Sequence, residues 1–210
     1  MLIDEITLTN IIQMKLGYLR MCALLLTCLT ACSQFIFSQD AVDSGGHEQW
    51  EFILEDTGDV LQLALPLTAI SVTLIEKDYQ GTKQFALSYG SAMILTHSLK
   101  HLIHKQRPEG RDRYDAFPSG HTASAFSGAS FIQKRYGWKY GWPAYVLATL
   151  VGVSRMEGPD GYHDIWDVIA GASVGIGTTN LFTTPYPKHH FDIGFASGNN
   201  SYMLTVRYRF

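Results

Sequence analysis

The chain has 210 residues, with 16 Lys and Arg against 19 Asp and Glu, a formal charge of −3 and a mean hydropathy of +0.01. That length reads as one domain large enough to bury most of its apolar surface. The charge leaves no dominating basic face, which argues against a nucleic-acid partner, and the hydropathy is not that of a polytopic membrane protein.

Residues 1–32 read as an export leader. Lys15 and Arg20 supply its charge, and Met21 to Leu29 form an apolar run too short for a comfortable permanent span. Asp4 and Glu5 are out of place at the charged start of a leader, which fits initiation at Met14. The run closes on Leu29-Thr30-Ala31-Cys32, which resembles the bacterial lipoprotein box, where the Cys is lipidated and becomes the new N-terminus. Ordinary cleavage nearby, or an uncleaved anchor, is the alternative. Cys22, Cys28 and Cys32 all lie in this leader, so the body has no thiol for a disulfide or a cysteine zinc site. An oxidising compartment tolerates such a body easily.

Residues 33–58 are polar and contain Asp43-Ser44-Gly45-Gly46, which reads as a tether. A helical-bundle domain is expected over 59–182. Its first helix covers Val60 to Ile75, interrupted by Pro66, and a second runs from Thr82 to Gln106 until Pro108 stops it. Residues 109–117 are loop. A third helix, rich in small residues, spans His121 to Arg135 and ends at Tyr136-Gly137. Trp142 to Val153 is the fourth. A loop with Gly158, Pro159 and Gly161 leads to a fifth helix from near His163 to about Thr178.

Over 183–210 the period changes. Phe191, Ile193 and Phe195, then Tyr202, Leu204, Val206 and Tyr208, alternate with other residues around Gly198-Asn199-Asn200, the pattern of a β-hairpin. Two strands cannot close a membrane barrel. The fold class is therefore all-α: a bundle of about five core helices with a short C-terminal hairpin. None of the helical stretches offers the roughly 20 cleanly apolar residues of a bilayer span. Gln62 and Pro66, then Ser88, Ser91 and His97, then Thr178-Thr179-Asn180 break the longest ones, which favours a bundle outside the membrane.

Three clusters between 100 and 167 carry chemistry. Lys100 and Arg107 are seven apart, two turns along one helical face, and Pro108 leaves the guanidinium able to turn into a loop-lined pocket. Two converging cations suit an anion with several oxygens. In Pro118-Ser119-Gly120-His121, Gly120 permits close backbone approach at a helix start, where N–H groups bind phosphate. Ser119 adds a hydroxyl, and His121 can protonate a leaving oxygen near neutral pH. His163 and Asp167 lie one turn apart, so the carboxylate can fix one ring nitrogen and leave the other as a nucleophile. Ser154 and Arg155 end the preceding helix and can reach the same point. Taken singly these are a solvated face, a Ser cap and a helix salt bridge. A rival metal stripe, His97, His101 and His104, has no carboxylate on its helix to complete it.

In combination these residues resemble the type 2 phosphatidic acid phosphatase and vanadium haloperoxidase superfamily. Its motifs run Lys-x6-Arg-Pro, Pro-Ser-Gly-His and Ser-Arg-x5-His-x3-Asp. The first two match unchanged, at Lys100 to Pro108 and Pro118 to His121. The third has seven residues between Arg155 and His163 rather than five, and the extra length falls in a Gly/Pro loop where it costs little closure entropy. The resemblance covers about Val60 to Gly177. It implies that His163 attacks phosphorus to form a phosphohistidine, oriented by Asp167, while His121 protonates the leaving alcohol and then activates water. It also implies that Lys100, Arg107, Arg155, Ser119 and the Gly120 N–H hold the phosphoryl oxygens, with no metal and no cofactor.

The function this implies is an exported, membrane-associated phosphatase. Its substrates would be lipid phosphates such as phosphatidic acid, phosphatidylglycerophosphate, isoprenyl pyrophosphate or lipid A. The alternatives are a broad-specificity periplasmic acid phosphatase on soluble phosphate esters, a vanadate haloperoxidase, or a non-catalytic envelope lipoprotein. Anchored through Cys32 to the membrane surface, the enzyme would face the periplasm of a bacterial envelope. Ser33 carries no aspartate retention signal, which favours the outer membrane.

Overall fold

The computed structural model describes residues 49–108, 112–158, 163–186, 191–198 and 201–208. Among these, five α-helices are followed by two strands. The helices are α1 (Gln49–Ile75), α2 (Tyr79–Ile103), α3 (Gly120–Tyr136), α4 (Trp138–Glu157) and α5 (Ile165–Phe182). The strands β1 (Phe191–Gly198) and β2 (Ser201–Tyr208) form an antiparallel hairpin in which Ile193 pairs with Val206 and Phe195 with Leu204. The helical bundle and the hairpin belong to separate compact units.

The bundle is built around α3. Its buried positions, among them Ala123, Ala125, Ser127, Gly128, Ala129 and Phe131, lie on every side of the helix, as expected when neighbours cover it all round. Small side chains let those neighbours approach closely. A Cβ on Gly171 of α5 would sit 2.4 Å from the Ser119 carbonyl oxygen, so α5 packs against the start of α3 only because that position is glycine. Leu61, Leu65, Phe85, Phe131, Ile132 and Val151 fill the core, with Phe85 edge-on to Phe131 at a centroid separation of 4.9 Å.

Local chemistry sets most of the helix ends. Asp78 caps α2, accepting from the Gly81 N–H at 2.9 Å. Gly137, at φ 97°, breaks α3 from α4 in a conformation that costs glycine nothing. Asp164 caps α5 in a capping box with Asp167. At the end of the bundle away from these α3 and α5 starts, a buried ion pair joins Arg135 to Asp78. Nε lies 2.7 Å from Oδ2 and Nη2 2.5 Å from Oδ1. Tyr136 donates to the same carboxylate at 3.1 Å, and Arg135 Nη1 donates to the Thr184 carbonyl at 2.9 Å.

Several elements differ from expectation. Residues 49–58, expected as tether, are helical, and α1 continues without a break through the buried Pro66. Packing against α3 holds that helix together although proline removes one of its bonds. The result is one helix of 27 residues that is long and apolar enough to cross a membrane. The expectation that none of the helices has that character fails at α1, because Pro66 does not interrupt the helix and its start lies at Gln49 rather than Val60. Helix α4 begins at Trp138 rather than Trp142, with Pro143 inside its second turn. The leader and Cys32 lie outside the described residues.

Candidate active site

The helices alternate in direction, so the C-terminal ends of α2 and α4 meet the N-terminal ends of α1, α3 and α5. An open cavity of about 690 Å³ lies there, and His163, His121, Lys100, Arg107, Arg155 and Gly120 all line it. The three clusters do converge.

Lys100 is on the last turn of α2, but Arg107 is not on that helix. The chain turns at His104, which ends α2 in the left-handed region at φ 47°. Arg107 then sits in a loop whose strand-like bonds run from the Arg107 N–H to the Arg113 carbonyl at 2.9 Å and from the Ala116 N–H to the Lys105 carbonyl at 3.1 Å. The expected face-to-face spacing along one helix is thus replaced by a fold-back. Pro108 disfavours helix at Arg107. Asp115 organises both cations: its carbonyl accepts from Lys100 Nζ, and its carboxylate takes the Arg107 fork at 2.8 and 3.1 Å. Arg107, by hydrogen bonding, holds the Asp115 carboxyl well below the usual range, at about 2.

At the start of α3 the outcome is divided. Gly120 opens onto the Lys100 side chain: a Cβ there would lie 3.9 Å from Lys100 Cε. His121 lines the cavity, and its Nε2 is 3.3 Å from Asp59 Oδ1. Ser119 differs from expectation. Its side chain is fully buried, accepts from the Thr122 N–H at 3.5 Å and the Thr122 hydroxyl at 3.0 Å, and is not among the residues lining the cavity. The competing cap role has won. Its backbone N–H donates to the Asp167 carbonyl at 2.9 Å, which fixes α3 against α5.

Arg155 is buried at the end of α4. Nη1 reaches Asp59 Oδ1 at 2.9 Å, Nη2 donates to the Glu55 carbonyl at 2.9 Å, and Nε donates to Ser154 Oγ at 3.3 Å. Its carbonyl accepts from the His163 N–H at 3.2 Å. That bond bears directly on the lengthened third motif, because Arg155 and His163 are joined backbone to backbone despite the seven residues between them.

His163 precedes the cap of α5, and Asp167 lies within its first turn. The ring is buried. Its Nδ1 stands 3.7 Å from Asp167 Oδ2 and has no hydrogen-bond partner among the described residues. Burial lowers the His163 pKa, with Lys100 and Arg107 adding to the effect and Asp167 opposing it. The ring is therefore held neutral, the form in which a nitrogen can attack. Catalytic hydrogen bonds are often long without substrate and tighten in the complex. Asp167 is fully buried, and its Oδ1 is bonded to Lys105 at 2.7 Å.

Asp59, Asp115 and Lys105 were not picked out by the sequence reading. Asp59 had a signal, since Glu55 and Asp59 are four apart and share a face once the helix starts at Gln49. Asp115 and Lys105 had none, because their partners are brought to them by the loop and by α5. His97, His101 and His104 line the α2 side of the cavity. No cluster of three or more His, Cys, Asp or Glu able to hold a metal occurs among the described residues.

A family model described as the PAP2 superfamily matches residues 81–190, just over half of the chain. The chain belongs to the PAP2 superfamily. A lipid A 4'-phosphatase of Helicobacter pylori is 34% identical over 148 residues, covering 65% of this chain and 73% of that protein. A lipid A 1-phosphatase of Porphyromonas gingivalis is 36% identical over 80 residues, 37% of this chain but 17% of that protein. Among solved structures, LpxE of Aquifex aeolicus aligns with a TM-score of 0.56 at 20% identity, covering 73% of this chain and 92% of that one, which shows the shared all-α fold. As a PAP2 protein the chain is a phosphatase, a hydrolase of phosphate esters. The PAP2 match contains all three clusters that meet at the cavity.

Proposed function

We propose that this PAP2 phosphatase is a membrane-bound enzyme that removes a phosphate monoester from a phosphorylated glycolipid of the lipid A type, through a phosphohistidine. The observation that carries this is the convergence of His163, His121 and the three cations on one cavity. At about 690 Å³ it has the size that holds a drug-sized ligand, leaving room for a sugar beside the phosphate. The names of the relatives point to the same substrate class.

Lys100, Arg107 and Arg155 draw the phosphoryl oxygens in, helped by the N–H groups at the start of α3. With Nδ1 turned to Asp167, the His163 Nε2 lone pair attacks phosphorus and the P–O bond to the lipid breaks. The leaving oxygen takes a proton from His121. Neutral His121 then removes a proton from water, the hydroxide attacks phosphorus, and the P–N bond breaks to return His163 and free phosphate. The three cations carry the charge that builds on the equatorial oxygens in both steps.

A release panel tests this reading: lipid A, phosphatidic acid, phosphatidylglycerophosphate and nitrophenyl phosphate, each with and without EDTA or vanadate. Release from lipid A should exceed that from the soluble ester, survive EDTA and be blocked by vanadate. Equal turnover of the soluble ester would give the site to a broad-specificity acid phosphatase. Loss in EDTA with recovery in zinc would overturn the metal-free mechanism.

The surface supports a membrane setting. Leu63 and Leu67 of α1, Leu87 and Ile94 of α2 and Val146 of α4 are each more than half exposed. Exposed Trp50 and Trp166 lie toward the cavity end, while Tyr79, Trp138 and Trp142 lie toward the other. Apolar side chains between two aromatic rims match the profile of a bilayer and its interfaces. At roughly 1.5 Å per residue, α1 is about 40 Å long. We include lipidation at Cys32 and a periplasm-facing, outer-membrane location in the proposal. In this reading the bundle itself holds the membrane, so Cys32→Ala should lose a fatty-acid label yet stay in the membrane fraction through a carbonate wash. Release by carbonate would leave the Cys32 tether as the sole attachment.

A further inference from the structure

Lys105 lies between the two motif cations but does not line the cavity. It faces the other way, into the start of α5, where Nζ meets Asp164 Oδ2 at 2.5 Å and Asp167 Oδ1 at 2.7 Å. Its carbonyl accepts from the Ala116 N–H, so the loop that holds Arg107 and Asp115 also aims this ammonium group. Asp167 therefore has three claimants. Lys105 takes Oδ1, the Asp164 N–H donates to Oδ2 at 3.1 Å, and His163 Nδ1 stands off at 3.7 Å from that same oxygen. The one of the three left without a normal hydrogen bond is the proposed nucleophile, whose Nδ1 is buried and has no partner among the described residues.

We infer that Lys105 is a positioning residue for the nucleophile: by holding Asp167 it sets the distance and the strength with which that carboxylate acts on His163. This rests on the phosphohistidine reading. A carboxylate shared with an ammonium group is a weaker partner for an imidazolium than one that is not. The clamp thus limits how far Asp167 favours protonated His163, which cannot attack. It also keeps the Asp167 carboxylate in a fixed place, behind the ring and out of the phosphate's way. The desolvating cost of Lys105 is outweighed by the two carboxylates, and its pKa is raised, so it stays charged throughout the working range.

The other charged groups near His163 do not substitute for it. Lys100 from α2 and Arg107 from the loop disfavour the imidazolium directly, and Asp167 from α5 favours it. Asp115 is bonded to Lys100 and Arg107, while Asp59 from α1 is bonded to Arg155 of α4 and His121 of α3. Among the described residues, Lys105 is the cation bonded to Asp167 itself.

The sign of the effect follows. Attack needs neutral His163, so kcat/KM is present above the His163 pKa and is lost as pH falls through it. Removing the Lys105 charge lets Asp167 favour the imidazolium more, so that acid limb should move to higher pH.

The test is the pH dependence of phosphate release by the full chain, for Lys105→Met, Lys105→Gln, Lys105→Arg and Asp164→Asn. Met and Gln should shift the acid limb of kcat/KM upward by about one unit. They should lower kcat by up to about 100-fold, with KM little changed because Lys105 does not touch the cavity. Arg should restore both. Asp164→Asn, which keeps a capping side chain and the Lys105–Asp167 pair, should not raise the limb; with one carboxylate fewer beside the ring, the limb stays or moves to lower pH. A wild type that releases phosphate and dies on His163→Ala, with Met and Gln variants whose acid limb does not move, overturns the inference and spares the mechanism. So does failure of both variants to fold, since that would make Lys105 a structural staple. An active enzyme that survives His163→Ala removes the underlying reading instead.

Discussion

His163→Ala will lower phosphate release by on the order of 10⁴- to 10⁶-fold, the range seen when a covalent nucleophile is deleted. The same variant will unfold within about 1 kcal/mol of wild type. His163 is buried, but its Nδ1 makes no hydrogen bond among the described residues, so deleting the ring strands no partner. The helix behind it is capped by Asp164, not by His163. Its backbone N–H, which holds the Arg155 carbonyl, survives in alanine. Activity and thermal unfolding measured on one preparation separate the outcomes. A large loss of stability would show that His163 supports the fold. Residual turnover of a few per cent would move the nucleophile elsewhere in the cavity. His121→Ala should behave differently, with a larger loss on alkyl than on nitrophenyl phosphates, because a good leaving group needs less protonation.

The largest expected loss of stability lies at the opposite end of the bundle. Asp78→Ala should destabilise the protein by about 3–5 kcal/mol, the cost of stranding one partner of a buried ion pair. Arg135 is 2% exposed and could not reach water without moving α2, α3 or the segment at Thr184. The carboxylate also caps α2 and accepts from Tyr136. Asp78→Asn keeps the cap and loses the charge, so it should fall between alanine and wild type. Because the pair is remote from the cavity, both variants should retain kcat below their unfolding temperatures. An Asp78→Ala variant that melts with wild type would mean that Arg135 finds another acceptor when the carboxylate is removed.

Chain-local physics was legible before any coordinates. Pro108 keeps Arg107 out of a helix, although α2 already ends at Ile103, short of the expected Gln106. A glycine tolerant of positive φ separates α3 from α4 at Gly137. Alternation of period 2 makes β1 and β2, whereas the caps Asp78 and Asp164 that start α2 and α5 were not picked out and those starts were expected at Thr82 and near His163. The motif residues that line the cavity could be singled out by residue type, order and family resemblance.

What the chain could not show locally is where side chains from different elements meet. Arg107 reaches the cavity through a fold-back at His104, not along a helix. Ser119 is turned inward to cap α3. Asp59 and Asp115 meet the cage's cations across 96 and 8 residues of sequence, as differences of residue number show for Asp59 to Arg155 and Arg107 to Asp115. Lys105 meets Asp167 across 62. The same limit misplaced the start of α1, whose polar first turns become helical where Glu55 and Asp59 find Arg155. Residue type and order pick out the groups proposed to meet phosphate, of which Ser119 is turned away from the cavity. Their pairing, and with it the charge state of His163, depends on burial and on distances of a few ångströms that only the packed helices create.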